Sequence, residues 1–322
     1  MLRRERFPLY VLLIICYCSY TEQHPEHYLN DKRPVCLTGM EETVNQRKTR
    51  MIGGFPAADR FDQMRFVAEI HIRGKQSCLA SVITDRHLLT AAHCLYDEPD
   101  LCDIILIIGD FDISTTDELT HEVRFIEYLK LHPKFDEKRA NNDIAVIGID
   151  PPVHLGKDIK AAVLPPLDAK LPIGTMCTIW GWQDYPWTGY RNDAKYILHR
   201  VDIPLLPKKR CRKNYSFVNK TKLCAGGLKG KDVCKGESGG SLLVWINDYY
   251  VICGIVSAGI GCGWEDVPGI YADVSRYTEW IYENTKDAAC KPSIHPNETY
   301  PRKSMKKKVS ITQQFINENK NN

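Results

Sequence analysis

Gly236-Glu237-Ser238-Gly239-Gly240 sets one hydroxyl among glycines, and two further stretches offer it partners: Thr90-Ala91-Ala92-His93-Cys94 and Asn142-Asp143-Ile144-Ala145. Attack on a carbonyl near neutral pH needs a nucleophile, a base to take its proton, a group to orient that base, and donors for the oxyanion. Ser238, His93 and Asp143 are of the types that fill the first three roles. Glycines beside the Ser let bare backbone approach a bound group.

Around these stretches, from 51 to about 286, short β-branched or aromatic runs recur, as at 66–72, 104–108, 144–149 and 249–256. Gly, Pro and Asp clusters separate them, which argues for an all-β barrel or sandwich and against alternating βαβ units. Only 275–284 has helical spacing, with Tyr277, Trp280 and Ile281 on one side behind Ser275 as the cap.

The flanks differ in composition. Residues 1–18 pair a basic start with an apolar stretch that includes Val11-Leu12-Leu13-Ile14-Ile15, the pattern of a signal peptide and too short for a membrane span. Residues 19–50 are polar and carry a lone Cys36, and they read as a propeptide. Residues 287–322 read as a polar, Lys-rich tail with too few large apolar side chains to fold alone. The 322 residues carry 43 basic and 40 acidic side chains, a near-balance without the footprint of nucleic-acid binding. Of 13 cysteines, two lie in the signal, leaving an odd number in a chain expected to reach an oxidising, extracellular compartment. Asn214, Asn219 and Asn297 head sequons open to glycosylation on that route.

The His, Asp and Ser stretches, in that order and separated by 50 and 95 residues, resemble the chymotrypsin/trypsin serine proteases over roughly 51–286. The resemblance implies two packed six-stranded antiparallel β-barrels with a C-terminal α-helix, and a trypsin-like peptidase domain spanning 51–286. It implies Ser238 as nucleophile, His93 as base, Asp143 as its orienting acid, and an oxyanion hole from the backbone N–H groups of Gly236 and Ser238. Asp232 resembles the acid at the floor of a pocket for Arg or Lys, with Gly259 and Gly269 as its small walls. Ser257 resembles the residue that hydrogen-bonds the orienting acid. Arg50-Met51-Ile52-Gly53-Gly54 resembles an activation junction whose new terminus pairs with Glu237. The matching cysteine pairs are Cys78 with Cys94, Cys211 with Cys224 and Cys234 with Cys262. Cys253 is a candidate partner for Cys177, and Cys36, Cys102 and Cys290 remain. The expected partners are polypeptide substrates, an activating protease and protease inhibitors, with no nucleic acid, membrane, metal or organic cofactor.

Several positions depart from the family pattern. Glu237 stands where the family has Asp, Met51 where it has Ile, Ser241 where Pro is usual, Leu79 where it has Gly, and Ala258 where a Trp lines the cleft. A second reading therefore keeps the fold but makes the chain a weak or inactive homologue that acts as a secreted binding or adaptor protein.

Overall fold

The computed structural model describes residues 55–59, 61–97, 100–113, 121–182, 197–229, 237–260 and 264–296. Arg50, Met51, Asp232, Cys234, Gly236, Cys262, Asn297 and the signal and propeptide segments lie outside them.

The strands are β1 (Phe55–Pro56), β2 (Val67–Ile72), β3 (Lys75–Val82), β4 (His87–Thr90), β5 (Ile104–Ile108), β6 (Glu122–Leu131) and β7 (Ala145–Asp150). They continue as β8 (Met176–Gly181), β9 (His199–Leu206), β10 (Lys222–Gly226), β11 (Ser241–Ile246), β12 (Tyr249–Ala258) and β13 (Pro268–Asp273), with helices α1 (Lys208–Cys211) and α2 (Thr278–Glu283). β2-β3-β4-β7-β6-β5 close one six-stranded antiparallel barrel. β8-β9-β10-β13-β12-β11 close a second, because β8 pairs with both β9 and β11, and β1 adds to β9 from outside.

Period-2 burial fills both barrels. Ile104, Leu106 and Ile108 of β5 point into the first, and Val201, Ile203 and Leu205 of β9 into the second. The runs expected at 66–72, 104–108, 144–149 and 249–256 all fall on strands. β6 escaped that reading because it is largely exposed and alternates Glu122, Arg124, Glu127 and Lys130 with apolar residues.

The helix is shorter than its spacing suggests. Ser275 does not cap it. Its hydroxyl donates to Asp273 Oδ1 at 2.7 Å inside a 3-10 turn at Val274–Arg276, and α2 begins at Thr278. Packing also runs past the boundary read at 286. Ala288, Cys290 and His295 are buried, and Leu164 exchanges backbone hydrogen bonds with Ser293 and His295. Apart from Ala288 and Cys290, which packs with Ala161, these contacts are made by polar groups and backbone, so apolar periodicity gave no sign of them.

Candidate active site

β4 and β7 are antiparallel neighbours with Thr90 opposite Ala145, so the turn after β4 and the loop before β7 meet at one rim of the first barrel. His93 sits in that turn and Asp143 in that loop. Asp143 holds the histidine at two points, accepting from Nδ1 at 2.8 Å and from the backbone N–H at 2.9 Å. Ser257 Oγ donates to the same carboxylate at 2.5 Å, and the Asp143 side chain is fully buried while His93 is 31% exposed. Because a carboxylate accepts, His93 carries its proton on Nδ1 and turns a basic Nε2 outward.

The second barrel brings Ser238 to the same rim. The turn is pinned from both sides: Leu79 N–H of β3 donates to Ser238 O at 2.8 Å, and Gly239 N–H donates to Val256 O of β12 at 3.0 Å. Gly239 has φ +79°, and a Cβ there would lie 2.3 Å from Thr90 Oγ1 and 2.5 Å from Leu79 O. Only glycine tolerates both the backbone and the contact. Leu79 and Ser241, two departures from the family pattern, find structural roles here: Leu79 is buried under the turn, and Ser241 Oγ meets Ser81 Oγ across the barrels at 2.6 Å. Among the described residues Ser238 makes no hydrogen bond to His93. His93 Nε2 lies 3.9 Å from Cys94 Sγ.

Glu237 is 3% exposed. Its Cγ and Oε1 lie 2.8 Å from where a Cβ on Gly181 would stand, so the bare backbone at the end of β8 makes room for the extra methylene. Gly259 is exposed with open space beside it, and Gly269 is buried with the Tyr271 hydroxyl 3.1 Å from its virtual Cβ. Any group at Gly269 therefore meets a phenol as well as bare backbone.

The loop that presents Asp143 is held by residues that sequence reasoning missed. Lys222 of β10 is 1% exposed, and its ammonium donates to Arg139 O at 3.0 Å, Ala140 O at 2.6 Å and Asn141 Oδ1 at 2.9 Å. Asn219 Nδ2 donates to Asn141 Oδ1 at 2.7 Å and Tyr277 Oη to Asn142 Oδ1 at 3.1 Å. Ala140 and Asn142 have φ of +46° and +50°, a strained backbone that needs such external support. Burial pushes the Lys222 ammonium down to about 8, against the pull of Asp143 and Asp136. The signal was present as a lysine at an inward position of a strand, Lys222-Leu223-Cys224-Ala225. Both sequon amides donate within the fold, Asn219 to Asn141 Oδ1 at 2.7 Å and Asn214, which is exposed, to Asp266 O at 3.3 Å.

Cys78 is bonded to Cys94, tying β3 to the His93 turn, and Cys211 to Cys224, tying α1 to β10. Cys177 and Cys253 are not bonded: their sulfurs are 4.0 Å apart, both buried in the second barrel. Cys290 is disulfide-bonded, and its partner is not among the described cysteines. Cys78, Cys94 and His93 cluster within 4.8 Å, but sulfurs joined in a disulfide have no thiolate to offer a metal. Among the described residues no helix is long and apolar enough to cross a membrane.

Two six-stranded barrels, one carrying His93 and Asp143 and the other Ser238, define a class, and comparison with known families agrees. The trypsin family model matches residues 51–281, and the chain belongs to that family of serine proteases. Among individual proteins it is similar to phenoloxidase-activating factor 3 of Holotrichia diomphalia, at 32% identity over 229 residues. The match covers 65% of this chain and 64% of that protein, just under two thirds of the relative's length.

Proposed function

We propose that the chain is a secreted serine endopeptidase, made as a zymogen and activated by cleavage after Arg50, that cuts peptide bonds after Arg or Lys. The observation that carries the reading is the two-point hold of Asp143 on His93, completed by Ser257, beside a Ser238 turn that both barrels fix. A base oriented this way and a hydroxyl on a glycine-framed turn are the parts that acyl transfer needs.

In this reading Ser238 Oγ attacks the scissile carbonyl while His93 Nε2 takes its proton. Asp143 stabilises the imidazolium that forms, and His93 returns the proton to the leaving amine. The N–H groups of Gly236 and Ser238 receive the oxyanion. Asp232 meets the cationic side chain of the residue that is cut, with Gly259 and Gly269 leaving room for its length. The Met51 ammonium freed by cleavage pairs with Glu237, whose buried place against Gly181 is compatible with an ion pair that would be costly with either partner missing. The segments 1–18, 19–50 and 287–322 serve as signal, propeptide and tail around the catalytic domain, and Cys234 joins Cys262.

The test is hydrolysis of an Arg-ending chromogenic peptide before and after cleavage at Arg50, with Ser238→Ala and Asp232→Ser alongside. Turnover that appears on cleavage, vanishes in Ser238→Ala and is lost for Arg substrates in Asp232→Ser is expected. Because the relative is named as a factor that activates phenoloxidase, a phenoloxidase precursor is a protein substrate to include. Cleaved, folded protein that stays silent on Arg, Lys and aromatic substrates would make the binding or adaptor reading correct.

A further inference from the structure

Residues 208–222 hold seven basic side chains and no acidic one, in a chain whose net charge is only +3. Lys222 is buried beneath the Asp143 loop, and the others belong to a surface. Lys209, Arg212, Lys213 and Lys220 are exposed, and Lys208 and Arg210 half-buried. The two arms of the segment are stapled together. Cys211 is bonded to Cys224, Lys208 Nζ donates to Asn219 O at 3.2 Å and Lys220 O at 2.9 Å, and Arg212 Nε donates to Val218 O at 3.2 Å. Lys220 therefore sits beside the helical arm, with Lys209 on α1 and Arg212 and Lys213 in the turn that ends it.

These charges are little neutralised. Arg210 pairs with Asp266 at 2.5 Å, but among the described residues Lys209, Arg212, Lys213 and Lys220 have no ion pair. Burial lowers the Lys208 ammonium; Asp273 opposes this, and the charges of Arg276 and Arg212 add smaller contributions to it. Like charges held this close raise the potential until a polyanion screens them.

Within 208–222 the exposed side chains are all polar. Tyr215 and Val218 are buried, Phe217 is half-buried, and no exposed large hydrophobic side chain falls between 208 and 222. Single-stranded nucleic acid calls for exposed rings on which bases stack, and stable membrane attachment calls for an inserted apolar face or an acyl chain. A cluster of ammonium and guanidinium groups on a stapled backbone suits a linear polymer of closely spaced sulfates, each able to take two hydrogen bonds from an arginine.

We propose that the loop formed by α1 and residues 212–220 is a docking surface for a sulfated polysaccharide. Binding there does not depend on hydrolytic activity, so the surface stands or falls apart from the function proposed above. The test is retention of the full secreted chain, freed of N-glycans because Asn214 adjoins Lys213, on immobilised heparin under a salt gradient. The comparison is a K209S/R212S/K213S/K220S variant checked for an unchanged melting temperature. The wild type is expected to elute at clearly higher salt than the variant and to pass through a desulfated heparin column. With about four cations removed, the slope of log affinity against log salt should fall by about 3 to 4, if each cation counts roughly as it does on a nucleic-acid polyanion. A K209R/K213R protein, which keeps the charge, should elute at the salt of the wild type or above it. Equal retention of wild type and variant, retention by desulfated heparin, or binding to phosphatidylserine vesicles or oligo-dT as tight as to heparin would each overturn the proposal. So would loss of retention on truncation after residue 296 with the four cations intact.

Discussion

Lys222 joins the two barrels at the point where the chemistry is set. Three donors on one buried nitrogen meet three oxygens of the loop that ends in Asp143. Lys222→Met would leave those oxygens without their donor, at about 1–3 kcal/mol, and loosen the hold on His93. We expect kcat/KM of the activated protein to fall about tenfold or more, with most of the loss in kcat. Lys222→Arg should not restore it, because a planar fork does not fit a cage shaped for a compact ammonium. Burial lowers this lysine to about 8 from 10.5, so the fold disfavours its charge. The cost is present in full below pH 8 and is relieved as pH rises toward 10.5, where the unfolded chain would also lose the proton. Over that window the wild type gains stability relative to Lys222→Met while its loop loses a donor. A pH–rate profile should show a larger alkaline fall near 8 in the wild type than in Lys222→Met, where only loss of the proton from the proposed Met51 ammonium remains, and identical limbs in both would contradict the role.

The C-terminal segment is anchored to the first barrel by polar groups. His87, fully buried on β4, contacts Thr84 Oγ1 at 2.7 Å, Tyr128 Oη at 2.6 Å and Asp287 Oδ1 at 3.1 Å, and Tyr128 Oη donates to Asp287 Oδ2 at 2.7 Å. The Tyr128 ring lies where a side chain at Gly148 would stand, which fixes β6 on β7. Burial would raise the Asp287 carboxyl, but the hydrogen bonds from His87 and Tyr128 outweigh it and hold the group well below the usual carboxylate range. A depressed acid contributes stability that is present above its unfolded value near 3.8 and lost as pH falls through the folded one. Asp287→Asn should therefore flatten the loss of melting temperature between about pH 4 and 2, modestly because the carboxyl is 44% exposed. An unchanged acid limb would show that the anchor contributes nothing. In the second barrel, Cys253 occupies a bulge of β12 and donates to Leu242 O at 3.2 Å, and burial holds its thiol well above the ordinary range. Cys177 and Cys253 should resist alkylation in the native state and react on unfolding; modification at native rates would mean the barrel opens there. Little of this was legible in the sequence. β5 and β12 show in apolar runs, whereas β6 and 287–296 are held by Tyr128, Asp287 and backbone pairing that no local pattern marks.

Two barrels divide the candidate site between them, the first carrying His93 and Asp143 and the second Ser238, Ser257 and Lys222. The three motifs were legible because each is local, a few residues on one turn. The network that joins them was not, since Lys222 meets Arg139 and Ala140 across more than 80 residues of chain. The departures also read differently in three dimensions: Glu237 finds its room at Gly181, and Ser241 finds Ser81. In the proposed mechanism Ser238 is a nucleophile activated through His93. Its most direct test is mass spectrometry of the protein cleaved after Arg50 and treated with a fluorophosphonate. One phosphonyl group per chain is expected, on the peptide that contains Ser238, with labelling lost in His93→Ala. Folded, cleaved protein that stays unlabelled, or labelling at another serine, would contradict it.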